Sequence, residues 1–107
     1  MGLSKTTLFT NKQNELALIA KAFAHPARIA IIEHLVKANR CINSDLVEDL
    51  GLAQATISQH LKELKSIGII QGTIEGTAMS YCINPSVWNS VKERLMRLLD
   101  SYDPNCC

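Results

Sequence analysis

The run from Asn43 to Leu64, NSDLVEDLGLAQATISQHLKEL, constrains this chain more than any other stretch. Leu46, Val47 and Leu50 recur at helical spacing, Gly51 follows where a left-handed residue ends a helix, and Ile57, Leu61 and Leu64 restart the same period. Two short helices joined by a tight turn result, which is a helix-turn-helix pattern. The bland alternative is a pair of ordinary amphipathic helices around a glycine, whose outward Gln and Ser side chains are merely solvated.

The second of these helices carries the chemistry. With Ile57, Leu61 and Leu64 on one face, Ala55, Ser58, Gln59 and Lys62 fall on another, and Gln54 and Thr56 occupy the first turn. Gln and Ser hydrogen-bond base edges, an Ala methyl touches thymine, and Lys62 reaches a phosphate; helices of this kind enter the major groove by their N-terminal residues. The expected function is therefore sequence-reading DNA binding.

The flanking chain supplies the rest of such a domain. Leu16, Ile19, Ala20 and Phe23 are spaced as in a first helix that starts at Asn11, and residues 1–10 are expected to be a mobile arm. His25-Pro26 ends that helix and opens a second, running to about Ala38 and expected to bury Ile29, Ile32 and Val36. Arg28, one turn into it, either contacts a phosphate or pairs with Glu15 or Glu33. Asn43 or Ser44 caps the third helix, while Ala53 opens the fourth where Ser or Thr would cap better by about 1 kcal/mol. After Gly68, Ile69, Ile70, Thr73 and Ile74 form one β-rich run and Met79, Tyr81 and Ile83 a second, with Glu75-Gly76-Thr77 as the hairpin turn.

A hairpin directly after a recognition helix is a wing. The expected fold is mainly α with a small β-hairpin wing, a winged helix-turn-helix in which four helices precede the hairpin and a fifth follows it. Residues 71–80 hold no Lys or Arg and do hold Glu75, so the wing adds little electrostatic grip. The fifth helix starts at Asn84-Pro85-Ser86, and Trp88, Val91, Leu95, Leu98 and Tyr102 repeat along it at alternating three- and four-residue steps, the seam of a helix that pairs with another. Together with Leu16, Ile19 and Phe23 of the first helix, the residues Trp88, Val91, Leu95 and Leu98 are the expected homodimer interface. The domain spans 11–102 and a short tail covers 103–107.

Totals narrow the function further. The chain of 107 residues suffices for one domain, and its 47% apolar residues can furnish a core. Net charge is only +1, so DNA binding has to rest on local placement of charge and not on a bulk positive field. No apolar run approaches the roughly 20 residues of a membrane span, and the N-terminus lacks the apolar core of a secretion signal, so a cytoplasmic location is expected. The four cysteines, at 41, 82, 106 and 107, have no C-x-x-C spacing, and His25 and His34 have no ligands nearby in sequence; no metal site and no cofactor is read in the chain.

Taken jointly, His25-Pro26-x-Arg28, the segment Ile29 to Leu35, Leu50-Gly51-Leu52-x-Gln54-x-Thr56-Ile57-Ser58-x-His60-Leu61-x-x-Leu64, Gly68-Ile69-Ile70 and the stretch Gly76 to Tyr81 resemble the ArsR/SmtB family of small bacterial winged-helix repressors. The resemblance covers about residues 14–100. It implies a homodimer that occupies a double-stranded DNA operator with an inverted repeat near its own promoter, contacts it through Gln54, Ala55, Thr56, Ser58 and Gln59, and lets go when an inducer binds. His60 matches the family's His but lies at the edge of the buried face, where packing or a phosphate bond suits it better than base reading.

The family's metal sites do not carry over. Its Cys-x-Cys-Asp/Glu run aligns with Ile42, Ser44 and Asp45, and its site of Asp and His pairs on the last helix meets a stretch, 84–102, without any His. Zinc sensing of either type is not expected. Some arsenic-sensing relatives carry adjacent cysteines near the C-terminus, so Cys106 and Cys107 form a candidate thiol effector site for a metalloid, with Cys41, Cys82 or a thiol of the partner chain as a third ligand. The competing reading is a pair of mobile free thiols, and the inducer, small molecule or metalloid, stays unidentified. A winged-helix domain used only for protein-protein contacts is the rival function. An enzyme is not expected, since no phosphate loop, ligand cluster or Cys/His couple is formed locally.

Overall fold

The computed structural model describes residues 8–42, 46, 50–74 and 79–105. Within them the chain runs α1 (Asn11–Ala22), α2 (Pro26–Ala38), α3 (Gln54–Ile67), β1 (Ile70–Thr73), β2 (Ser80–Ile83) and α4 (Pro85–Asp100). This is a winged helix: helices packed on one another, followed by a two-stranded antiparallel wing and a closing helix. The helix expected before Gly51 falls mostly, and the hairpin turn Glu75-Gly76-Thr77 wholly, outside the described residues. Of the former, Leu46 and Leu50 are described. The Leu50 amide donates to the Leu46 carbonyl at 2.9 Å, the spacing of a helical turn, and Leu46 is fully buried.

Local chemistry sets the ends of these elements. Thr10 and Gln13 form a reciprocal capping box on α1: the Gln13 amide donates to Thr10 Oγ1 at 3.1 Å, and the Thr10 amide donates to Gln13 Oε1 at 3.0 Å. At the start of α2 His25 is itself the cap, its Nδ1 accepting from the Ala27 amide at 3.0 Å, and Pro26 takes the first helical position. Asn84 Oδ1 accepts from the Ser86 and Val87 amides at 3.2 and 3.3 Å to open α4. Ala53 caps α3 with backbone only, as its side chain dictates. Gly51 has φ +70°, the left-handed conformation expected of it, and this turns the chain from the Leu46–Leu50 segment toward α3.

The wing pairs Ile70 with Ile83 and Gly72 with Tyr81. Gly72, at φ +110°, lies so close to β2 that a Cβ there would run into the Ser80 carbonyl oxygen. A third segment joins the hairpin: Ile42 and Tyr81 exchange two backbone hydrogen bonds, 2.8 and 3.1 Å long, so the chain leaving α2 is tied to the far side of β2.

One core lies among all these elements. Ile57, Leu61 and Leu64 of α3 pack with Ile31 and Leu35 of α2 and with Ile69, Ile70 and Tyr81 of the wing, each at most 2% exposed. Each such side chain contributes about 1.5–3 kcal/mol by leaving water. The expected burial of Ile29 and Val36 does not hold. Ile29 and Val36 of α2 are 38% and 49% exposed, because the helix turns Ala27, Ile31, Ile32 and Leu35 inward instead. That face follows the i, i+4, i+8 row, which the all-round apolar composition of α2 does not distinguish from its neighbours.

Candidate nucleic-acid interface

The two faces of α3 are segregated as its sequence predicts. Ile57, His60, Leu61 and Leu64 are buried, while Gln54, Ala55, Thr56, Gln59 and Lys62 are exposed and Ser58 is half-buried. Gln54 Nε2 donates to Ser58 Oγ at 3.3 Å across one turn, so the two polar groups of the stripe sit side by side. Further along, Lys62, Lys65 and Ser66 border an open depression whose other wall is Thr73 and Ile74 at the end of β1. This surface therefore grades from amide and hydroxyl groups at the helix N-terminus to two cations where α3 meets the wing. Amides and hydroxyls read base edges, and lysines neutralise phosphates.

Beneath this surface α3 is held by a polar network. Arg28 Nε donates to His60 Nδ1 at 3.1 Å, and its Nη1 donates to the Lys21 carbonyl at 2.9 Å. The His25 and His60 rings lie 4.4 Å apart at 47°. Arg28 thus ties the end of α1 and the start of α2 to the middle of α3. Neither partner proposed for it from sequence is used: Glu15 pairs instead with Arg94 of α4 at 3.1 Å, and Glu33 is not its partner. His60 is a packing residue. Its pKa is lowered first by burial, then by the neighbouring His25 and Arg28, with Glu63 opposing weakly. The only local sign of this network was His25-Pro26-x-Arg28 in a chain that also held His60.

The residues expected at the dimer interface divide into three groups. Ile19 and Val91 are buried in the chain's own core; Leu16, Phe23, Trp88 and Leu95 are half-buried; Leu98 is 55% exposed. Val91 is the one buried residue of α4, whereas Met96, Leu98 and Leu99 are exposed on it and Tyr102 beyond it. Leu16 and Leu98 border a cleft between α1 and α4 that the Glu15–Arg94 ion pair also lines.

Cys106 and Cys107 lie outside the described residues. The other two cysteines, remote in sequence, are brought together: Cys41 hydrogen-bonds to Cys82, and this, followed by burial and the charge of Cys82, raises the Cys41 pKa. Among the described residues no three His, Cys, Asp or Glu side chains are gathered as a metal site would need, and no helix is long and apolar enough to cross a membrane.

Residues 25–71 match the family described as bacterial regulatory protein, arsR family. An uncharacterized HTH-type transcriptional regulator of Methanocaldococcus jannaschii is 36% identical over 89 residues, 83% of this chain and 96% of that protein. An uncharacterized HTH-type transcriptional regulator of Mycobacterium tuberculosis is 41% identical over 63 residues, 59% of this chain and 55% of its own length. Its crystal structure superimposes with a TM-score of 0.61 at 31% identity, covering 87% of this chain and 97% of that one. The HTH-type transcriptional repressor SmtB of the same species is 40% identical over 63 residues, 59% of this chain and 46% of its own length. The match thus spans about half the length of these two mycobacterial relatives.

Proposed function

The chain belongs to the arsR family of bacterial regulatory proteins, whose relatives are transcriptional regulators and not enzymes, and from that premise we propose that it is a homodimeric, sequence-specific DNA-binding repressor. The observation that carries this reading is the outward stripe of α3, where Gln54, Ala55, Thr56, Ser58 and Gln59 present base-reading groups and Lys62 a phosphate-binding one. The opposite face of the helix is locked into the core and into the Arg28–His60 bond, so the stripe is presented rigidly. A relative in sequence, the mycobacterial repressor SmtB, supports the sign of regulation.

Dimerisation is supported by α4. A 16-residue helix that buries a single residue and leaves Leu98 and Leu99 55% and 66% exposed lacks its packing partner. A second copy of α1 and α4, meeting through Leu16 and Leu98, covers that surface, with Ile19 and Val91 supporting it from inside. Two reading helices related by a two-fold axis match an operator with an inverted repeat.

The test is a mobility-shift and footprint assay on the DNA upstream of the protein's own gene at several salt concentrations. A protected inverted repeat, bound more tightly than random DNA and progressively released by salt, is the expected result. Equal, weak binding to all DNA would overturn the sequence-specific reading, and no binding to any DNA would leave a winged-helix domain that makes protein contacts only.

A further inference from the structure

Cys41 and Cys82 are directly opposed across the edge of the wing. Ile42 and Tyr81 exchange both backbone hydrogen bonds, so the adjoining pair, one residue back on one segment and one forward on the other, is Cys41 with Cys82 in the non-hydrogen-bonded position. Opposed residues there have Cα atoms about 4.5 Å apart, inside the roughly 4.4–6.8 Å range of a disulfide. Alternation sends Ile42 and Tyr81 into the core and both cysteines to the other face. Gln71, the β1 partner of Cys82, completes the row and donates from Nε2 to Cys82 Sγ at 3.8 Å. The three side chains line a cleft of about 440 Å³ between the end of α2 and the start of α4, with Arg40 as its one cation and Trp88 on its far wall.

We propose that Cys41 and Cys82 form an intramolecular dithiol switch, converted to a disulfide by a low-molecular-weight disulfide that enters this cleft. One protein thiolate attacks the incoming disulfide and expels one small thiol, leaving a mixed disulfide; the second protein thiolate then displaces the other small thiol. The protein dithiol loses two electrons and two protons, and the small disulfide is reduced to two thiols. The bond closes a loop from residue 41 to residue 82 that contains the helix-turn-helix and β1. Oxidation therefore staples the DNA-facing unit as a whole and restricts its local opening.

The experiment uses the full chain carrying C106S and C107S, equilibrated with oxidised and reduced glutathione over a range of ratios. Oxidation is expected to remove both thiols and two hydrogens of mass without a retained glutathionyl group, and peptide mapping is expected to join Cys41 to Cys82 in a monomeric chain. C41S or C82S in the same background is expected to stop at the mixed disulfide. The oxidised protein is expected to melt about 10 °C or more above the reduced one, and amides over 54–74 to exchange more slowly. A stable mixed disulfide on the chain that retains both cysteines, a disulfide between two copies, or thiols untouched at the oxidising end of the series would each overturn the proposal.

Discussion

Arg28 Nε donates to His60 Nδ1 at 3.1 Å, linking two residues 32 positions apart. The bond requires a lone pair on Nδ1, so the neutral ring carries its proton on Nε2, and protonating Nδ1 sets two donors face to face. Burial and the His25 ring act in the same direction.

A pH dependence follows from this depression. The unfolded chain takes up a proton at His60 near the ordinary value of 6.5, whereas the folded chain does so only at lower pH. The stabilisation from a neutral His60 is therefore complete above that value and is lost as pH falls from there through the lower folded-state value. Urea midpoints measured between neutral pH and about pH 5 are expected to drop more steeply for the unmodified protein than for His60→Asn. An NMR titration placing the His60 ring at or above the ordinary value would contradict the cause.

Gly72 occupies φ +110° with the Ser80 carbonyl against its missing Cβ. Gly72→Ala is expected to cost at least about 1–3 kcal/mol, since it adds a disfavoured backbone conformation to a collision with main chain. Thermal unfolding decides this; an unchanged melting temperature would mean that β1 and β2 separate there without penalty.

Ala53 has the extended backbone of a helix cap, φ −63° and ψ 146°, but makes no side-chain cap bond. Ala53→Ser is expected to stabilise the protein by about 0.5–2 kcal/mol by supplying an acceptor for an orphan amide in the first turn of α3. Denaturant unfolding at constant slope measures it, and a neutral or negative result would show that another group already satisfies that turn.

Leu98 and Leu95 separate assembly from folding. Leu98 is 55% exposed, while Leu95 packs against the chain's own core. Leu98→Glu is expected to yield folded monomers at micromolar concentration by sedimentation with unchanged helical circular dichroism, and Leu95→Glu to lose fold and assembly together. A dimeric Leu98→Glu variant would move the interface elsewhere.

Within α3, Gln54→Ala or Ser58→Ala is expected to reduce discrimination between operator and random DNA by about 1–3 kcal/mol if each makes a good base contact, and Lys62→Ala to weaken both DNAs alike. Because Gln54 donates to Ser58, the double substitution is expected to cost less than the sum of the two. Uniform losses on all DNA from all three variants would remove base reading from this helix.

Signals carried by a few neighbouring residues were legible without coordinates. Pro26 and Asn84-Pro85 start α2 and α4 where the chain says they must, Gly51 and Gly68 adopt left-handed conformations, and the apolar period of α3 alone separates its inner face from its outer one. Each rests on backbone sterics or helical geometry within one or two turns. Which face α2 buries, by contrast, was decided by packing: Ile29 and Val36 are as apolar as Ile31 and Leu35, and only the position of α3 turns the latter pair inward. The Arg28–His60 bond and the Cys41–Cys82 pair belong to the same class, joining residues 32 and 41 positions apart. No local rule aligns such partners, because a one-residue change in the Ile42–Tyr81 register would turn either cysteine into the core and the other away.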